Sequence, residues 1–76
     1  MKQKNVETLN TMLQGLEAFQ MILDKVVQEE QEAFDNLSES YQNSEKGEAR
    51  QEQIDMLQEA SDTMCDVISN CYSAME

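Results

Sequence analysis

Apolar residues recur along the first half of the chain at spacings of four and three: Leu9, Leu13, Leu16, Leu23, Val27, Phe34 and Leu37, with the line broken only at Gln20 and Glu30. A 3.6-residue period brings such positions onto one stripe of an α-helix. Met12, Phe19, Val26 and Ala33 form a second line beside the first, which widens the apolar face beyond a narrow seam. The helix is expected from about 5 to 37, with Asn5 as N-cap and Glu7 in its first turn.

The pattern lapses over SESYQN, residues 38 to 43, where side chains that compete for backbone hydrogen bonds cluster. This stretch is expected to be the turn. Asn43 or Ser44 can cap a second helix, expected over 44 to 75, whose apolar line is Ile54, Leu57, Met64, Ile68, Cys71 and Met75, broken once at Ser61 and widened by Cys65 and Tyr72. Gly15 in the first helix and Gly47 in the second are the weak points, each costing about 1 kcal/mol against alanine inside a helix.

Two long helices joined by a short turn pack antiparallel, and the polar breaks select the register. If facing residue numbers sum to about 81, Leu16 meets Met64, Leu13 meets Ile68, Leu23 meets Leu57 and Val27 meets Ile54. Gln20 then faces Ser61, and Glu30 faces Arg50, so both interruptions find polar partners in one register. The fold expected is an all-α, antiparallel two-helix hairpin forming one domain over residues 1 to 76. Its core is Leu9, Leu13, Leu16, Phe19, Leu23, Val27, Ile54, Leu57, Met64 and Ile68. Because the first helix carries apolar residues on nearly three positions in seven, a lone hairpin would leave much of that face in water; a homodimer closing into a four-helix bundle buries it.

Composition narrows the chemistry. Among 76 residues there is no histidine, which removes Ser-His-Asp and Cys-His catalysis, and a buried carboxylate base has little room in so thin a fold. The expectation is a protein without enzymatic activity, cofactor or small-molecule substrate. No DxDxDG loop, Glu-x-x-His pair or CxxC pair is present, so no metal site is expected. Cys65 and Cys71 are six apart, roughly 9 Å along a helix, too far for an intrahelical disulfide. Reduced thiols, two lysines at the start without an apolar h-region, and no apolar run near the ~18 residues of a membrane span together point to a cytoplasmic protein with no membrane partner.

Sixteen acids against five bases give a net charge of −11, which opposes direct binding to nucleic acid and favours a basic protein as partner. The charge is uneven: residues 1 to 28 sum to 0, residues 29 to 59 to −8, and residues 60 to 76 to −3. Within the second helix Glu45, Glu48, Glu52, Asp55, Glu59, Asp62 and Asp66 follow one another every three or four residues, at heptad positions b and f, facing away from the seam. One account is a solvated face that keeps a small bundle soluble. Yet solvated faces ordinarily mix signs, and here only Lys46 and Arg50 interrupt the acids, so like-charge neighbours cost a few tenths of a kcal/mol each. These seven acids are therefore the candidate partner-binding residues. A nucleic-acid mimic is an alternative: acids every ~5 Å along one helix carry about a third of the charge density of duplex DNA at one charge per ~1.7 Å, so mimicry needs two copies. A structural or assembly module is the third.

Residues 30 to 49, EQEAFDNLSESYQNSEKGEA, resemble a segment of small acidic proteins encoded by tailed phages and prophages, in which Asp-Asn-Leu-Pro-Glu-Ser, Gln and Ser-Glu-Lys/Arg-Gly/Tyr-Glu join two acidic helices. Glu32, Asp35, Asn36, Leu37, Glu39, Ser40, Gln42, Ser44, Glu45, Lys46, Gly47 and Glu48 match, and Ser38 stands where the proline usually is. The resemblance covers about a quarter of the chain and brings no established activity with it. It implies a viral origin, the cytoplasm of an infected or lysogenic bacterium, and work directed at a host protein, such as inhibition of a defence or transcription component.

Overall fold

The computed structural model describes all 76 residues, which form α1 (Gln3–Asp35), the single-turn α2 (Glu39–Gln42) and α3 (Glu45–Met75). Helices α1 and α3 pack antiparallel along nearly their whole length, giving a rod of 57 × 15 × 14 Å without a strand. The register follows the polar breaks. Gln20 Nε2 donates to Ser61 Oγ at 3.3 Å, and Arg50 Nη2 lies 3.7 Å from Glu30 Oε2. Ser61 is only 2% exposed, so its hydroxyl depends on this bond for a partner inside the seam.

The seam is filled unevenly. Val27, Phe34 and Ile54 are buried and touch, with Leu23, Leu37 and Leu57 packed against them, so the tightest part of the core lies toward the turn. Toward the open end only Leu13 is fully enclosed, at 1% exposure; Leu9, Leu16, Met64, Ile68, Cys71 and Met75 are half-buried. Four buried apolar side chains are a small core for 76 residues.

Helix α1 begins earlier than the capping residues imply. Asn5 is helical rather than the N-cap, and the amides of Asn5 and Val6 donate to Lys2 O at 3.0 and 3.1 Å. Lys2 takes the cap position with no side-chain hydrogen bond, since lysine has no acceptor to offer, and Glu7 falls beyond the first turn. Helix propensity in Gln3 and Lys4 outweighs the missing cap.

At the other end α1 stops at Asp35, two residues before Leu37, and the expected turn holds a helical turn of its own. Three side chains organise it. The Ser38 hydroxyl accepts from Tyr41 N at 3.2 Å and the Ser44 hydroxyl from Gly47 N at 3.1 Å, so each serine caps the helix that follows it. The Gln42 side-chain amide donates to the carbonyls of Phe34, Leu37 and Asp35 at 3.0, 3.0 and 3.3 Å, closing the end of α1. Ser38 sits at φ −60° and ψ 149°, the φ that a proline ring imposes, so this backbone is already the one a proline would hold.

Gly47 is no weak point. It is buried in the first turn of α3, and a Cβ there would collide with the carbonyl oxygen of Tyr41 and lie 2.7 Å from that of Gln42. Only glycine lets α2 and α3 approach this closely. Gly15 differs, with nothing within 4 Å of the same added atom.

Candidate interaction surfaces

A two-helix rod has two long flanks beside its seam, and heptad position decides which side chains each receives. On one flank α1 supplies Asp24, Gln28, Gln31 and Asp35, and α3 supplies Gln51, Asp55, Gln58 and Asp62. These form a hydrogen-bonded ladder. Gln31 and Gln51 exchange amide bonds across the seam at 3.2 and 3.1 Å, while Gln31 also donates to Asp35 at 3.0 Å and Gln51 to Asp55 at 2.9 Å. The chain Asp35–Gln31–Gln51–Asp55 thus crosses from helix to helix, and Gln28 to Asp24 and Gln58 to Asp62 repeat the i,i+4 motif at 3.3 and 3.0 Å. Near the open end of this flank the Tyr72 hydroxyl donates to Glu17 Oε1; that bond, aided by partial burial and the carboxylate's charge, raises the Tyr72 pKa above 10.

The opposite flank has no such ladder. Met12, Phe19, Ile22 and Val26 from α1 and Met56, Ala60 and Val67 from α3 line it, with Phe19 62%, Ile22 61% and Met56 68% exposed. Two shallow grooves run along this flank. One, near the turn, is bordered by Val26, Tyr41, Ala49 and Leu57; the other, nearer the open end, by Leu16, Met56, Ala60, Met64 and Val67. Phe19, expected in the apolar core, therefore lies outside the seam of the single hairpin, on this open flank. Leu9, Leu13, Leu16, Leu23, Val27, Ile54, Leu57, Met64 and Ile68 are all buried or half-buried.

The seven acids Glu45, Glu48, Glu52, Asp55, Glu59, Asp62 and Asp66 are all exposed along α3. No cation pairs with any of them: the two ion pairs of the molecule are Lys25–Glu29 at 3.9 Å and Arg50–Glu30 at 3.7 Å. Two members receive a neutral glutamine amide, Asp55 from Gln51 and Asp62 from Gln58, and the other five have no side-chain hydrogen-bond partner. Glu45 and Glu48 occupy the first turn of α3, where the helix dipole favours them.

No three carboxylates or thiols converge to hold a metal ion, and the cysteines are free, Cys65 exposed and Cys71 half-buried. No helix is long and apolar enough to cross a membrane. What sequence spacing missed are Gln42 and the Gln31–Gln51 pair. A glutamine has no positional preference strong enough to mark a cap, and a cross-seam pair becomes visible only after the register is known. No protein-family model, curated protein or solved structure matches this chain.

Proposed function

We propose that this chain is a non-enzymatic protein-interaction module that dimerises through its apolar flank and uses the acidic face of α3 to bind and modulate a basic protein. One observation carries the reading: seven exposed acids follow one another along α3, and none of them is ion-paired to a cation. Solubility alone is served as well by mixed charges, which would add i,i+4 pairs worth ~0.3–0.5 kcal/mol each instead of repulsions of similar size. A basic partner removes that repulsion on binding and is steered toward the face from a distance.

Dimerisation rests on the other flank. Phe19, Ile22 and Met56 are exposed on one flank of a rod whose own core holds four buried apolar residues. A second copy laid on that flank makes a four-helix bundle and leaves six of the seven acids of each copy outside, with Glu59 at the border of the contact. The likeness of residues 30 to 49 to phage and prophage segments directs the search to bacterial host proteins.

The test is a pull-down from bacterial lysate at low and high salt, comparing the native chain with a variant carrying Glu48→Lys, Glu52→Lys, Asp55→Lys and Glu59→Lys. The expected result is a basic protein held by the native chain at low salt, released as ionic strength rises and absent from the variant. Identical retention by both would reduce the acidic face to a solubility device and leave an assembly module. Competition between the captured protein's DNA or RNA and this chain would identify the face as a phosphate-backbone mimic.

A further inference from the structure

We infer that the groove at the open end of the apolar flank docks an amphipathic helix of the basic partner, its apolar stripe inward and its Lys or Arg side chains along the α3 edge. This rests on the basic partner proposed above and adds where, and in what form, that partner binds. Half-buried Leu16 and Met64 lie in the groove beside Met56 and Val67, which are 68% and 43% exposed. Met56 and Val67 are eleven residues apart, about 16 Å along α3, a length that three turns of a docked helix cover. Helices held in grooves of this kind anchor through apolar residues at i, i+3 or i+4, and i+7.

Charge identifies the occupant. The two grooves of the flank differ in sign: Lys46 and Arg50 line the one near the turn, beside Glu30, whereas no cation lines the one at the open end, whose only charged side chain is Glu59. Glu52 and Asp66 stand seven residues before and after Glu59, two helical turns or about 10 Å each way. The three exposed carboxylates therefore share one row along the α3 edge of this groove. None of them has an ion pair or a side-chain hydrogen-bond partner. The other row, Glu48, Asp55 and Asp62, lies toward the glutamine flank, where Asp55 and Asp62 already accept amides. A helix with Lys or Arg at seven-residue intervals beside its apolar stripe meets the first row at the same spacing of about 10 Å. A second copy instead brings another Glu59 to the border of the contact. The two occupants compete for one flank and the charges favour the basic helix, so partner binding separates the proposed dimer into single hairpins.

The probe is a synthetic peptide of about 18 residues, ~27 Å long as a helix, with Leu on an i, i+3, i+7 stripe and Lys at seven-residue intervals on either side of it. Its control has the same composition in an order that mixes Leu and Lys on every face. Affinity is read by fluorescence anisotropy of the labelled peptide at physiological salt, and the mass of the complex by light scattering. The native chain is expected to bind the patterned peptide about tenfold more tightly than the control, in a complex of one chain and one peptide. Glu52→Gln with Glu59→Gln and Asp66→Asn should weaken binding about tenfold; Glu48→Gln with Asp55→Asn and Asp62→Asn, which removes the same charge from the other row, should weaken it by about twofold at most. Equal responses to the two triple variants, or equal binding of the two peptides, overturn the groove and leave an acidic surface that still takes a basic partner. A dimer that carries the peptide places it off this flank and overturns the inference as well. If neither peptide binds even at low salt, the basic-partner reading falls with it.

Discussion

The two flanks of the rod are made by the same pair of helices at the same heptad spacing, yet one is finished and the other is not. On the glutamine flank the amides of Gln28, Gln31, Gln51 and Gln58 each find an acceptor within their own hairpin, four residues away or across the seam, so these groups are satisfied before any partner arrives. On the other flank phenylalanine, isoleucine and methionine stand in water, and nothing in the single chain covers them. Hydrogen-bonding groups can be satisfied locally because their partners are one helical turn away. Apolar groups need area, and a two-helix rod has only one seam of it to offer.

Charging the open flank gives the largest expected effect. Phe19→Glu with Ile22→Glu should weaken the proposed dimer by more than about 100-fold, on the order of 3 kcal/mol for burying unpaired carboxylates, as read by sedimentation against concentration. Gln28→Glu with Gln58→Glu on the finished flank should leave the dissociation constant within about threefold. Equal responses from the two pairs would erase the distinction between the flanks.

The two glycines sharpen the contrast between open and closed surroundings. Gly47→Ala should cost about 1–3 kcal/mol in denaturant unfolding, because its methyl must displace the Tyr41 and Gln42 carbonyls. Gly15→Ala, with free space around it, should instead add about 0.5–1 kcal/mol through helix propensity.

Between the flanks, the seam has its own polar contact. Ser61→Ala should cost about 1 kcal/mol by stranding the Gln20 amide, and Gln20→Leu added to it should recover most of that loss while loosening the register, seen as a broader distribution of label distances. The smallest effect belongs to Tyr72. In a Tyr41→Phe chain, where Tyr72 is the remaining tyrosine, tyrosinate absorbance should appear above pH 10. A phenol pKa raised in the folded chain stabilises it below the unfolded value and loses that contribution as pH rises through the folded one. Glu17→Gln should therefore bring the titration back toward 10.

The hairpin and its register were legible in the chain because both depend on spacing. The four–three line placed the stripe, and the breaks at Gln20, Glu30 and Ser61 located facing levels that the Gln20–Ser61 bond and the Glu30–Arg50 pair occupy. The outward direction of the seven acids followed from the same periodicity. Less was legible at the ends. Asn5 looked like a cap because cap preference is strong, but good helix formers before it carried the helix through. Gly47 looked like a defect because propensity counts the cost of missing side chains and is blind to a neighbouring backbone.

The amino-acid order alone determined two helices, their antiparallel pairing and a negatively charged outer face, since each is a consequence of residue type repeated at a helical period. Only the tertiary structure decided how α1 is closed by Gln42, why glycine stands at 47, and which flank is satisfied and which lies open. These depend on atoms distant in the chain meeting at 3 Å or failing to meet, and no periodicity within a single helix records that.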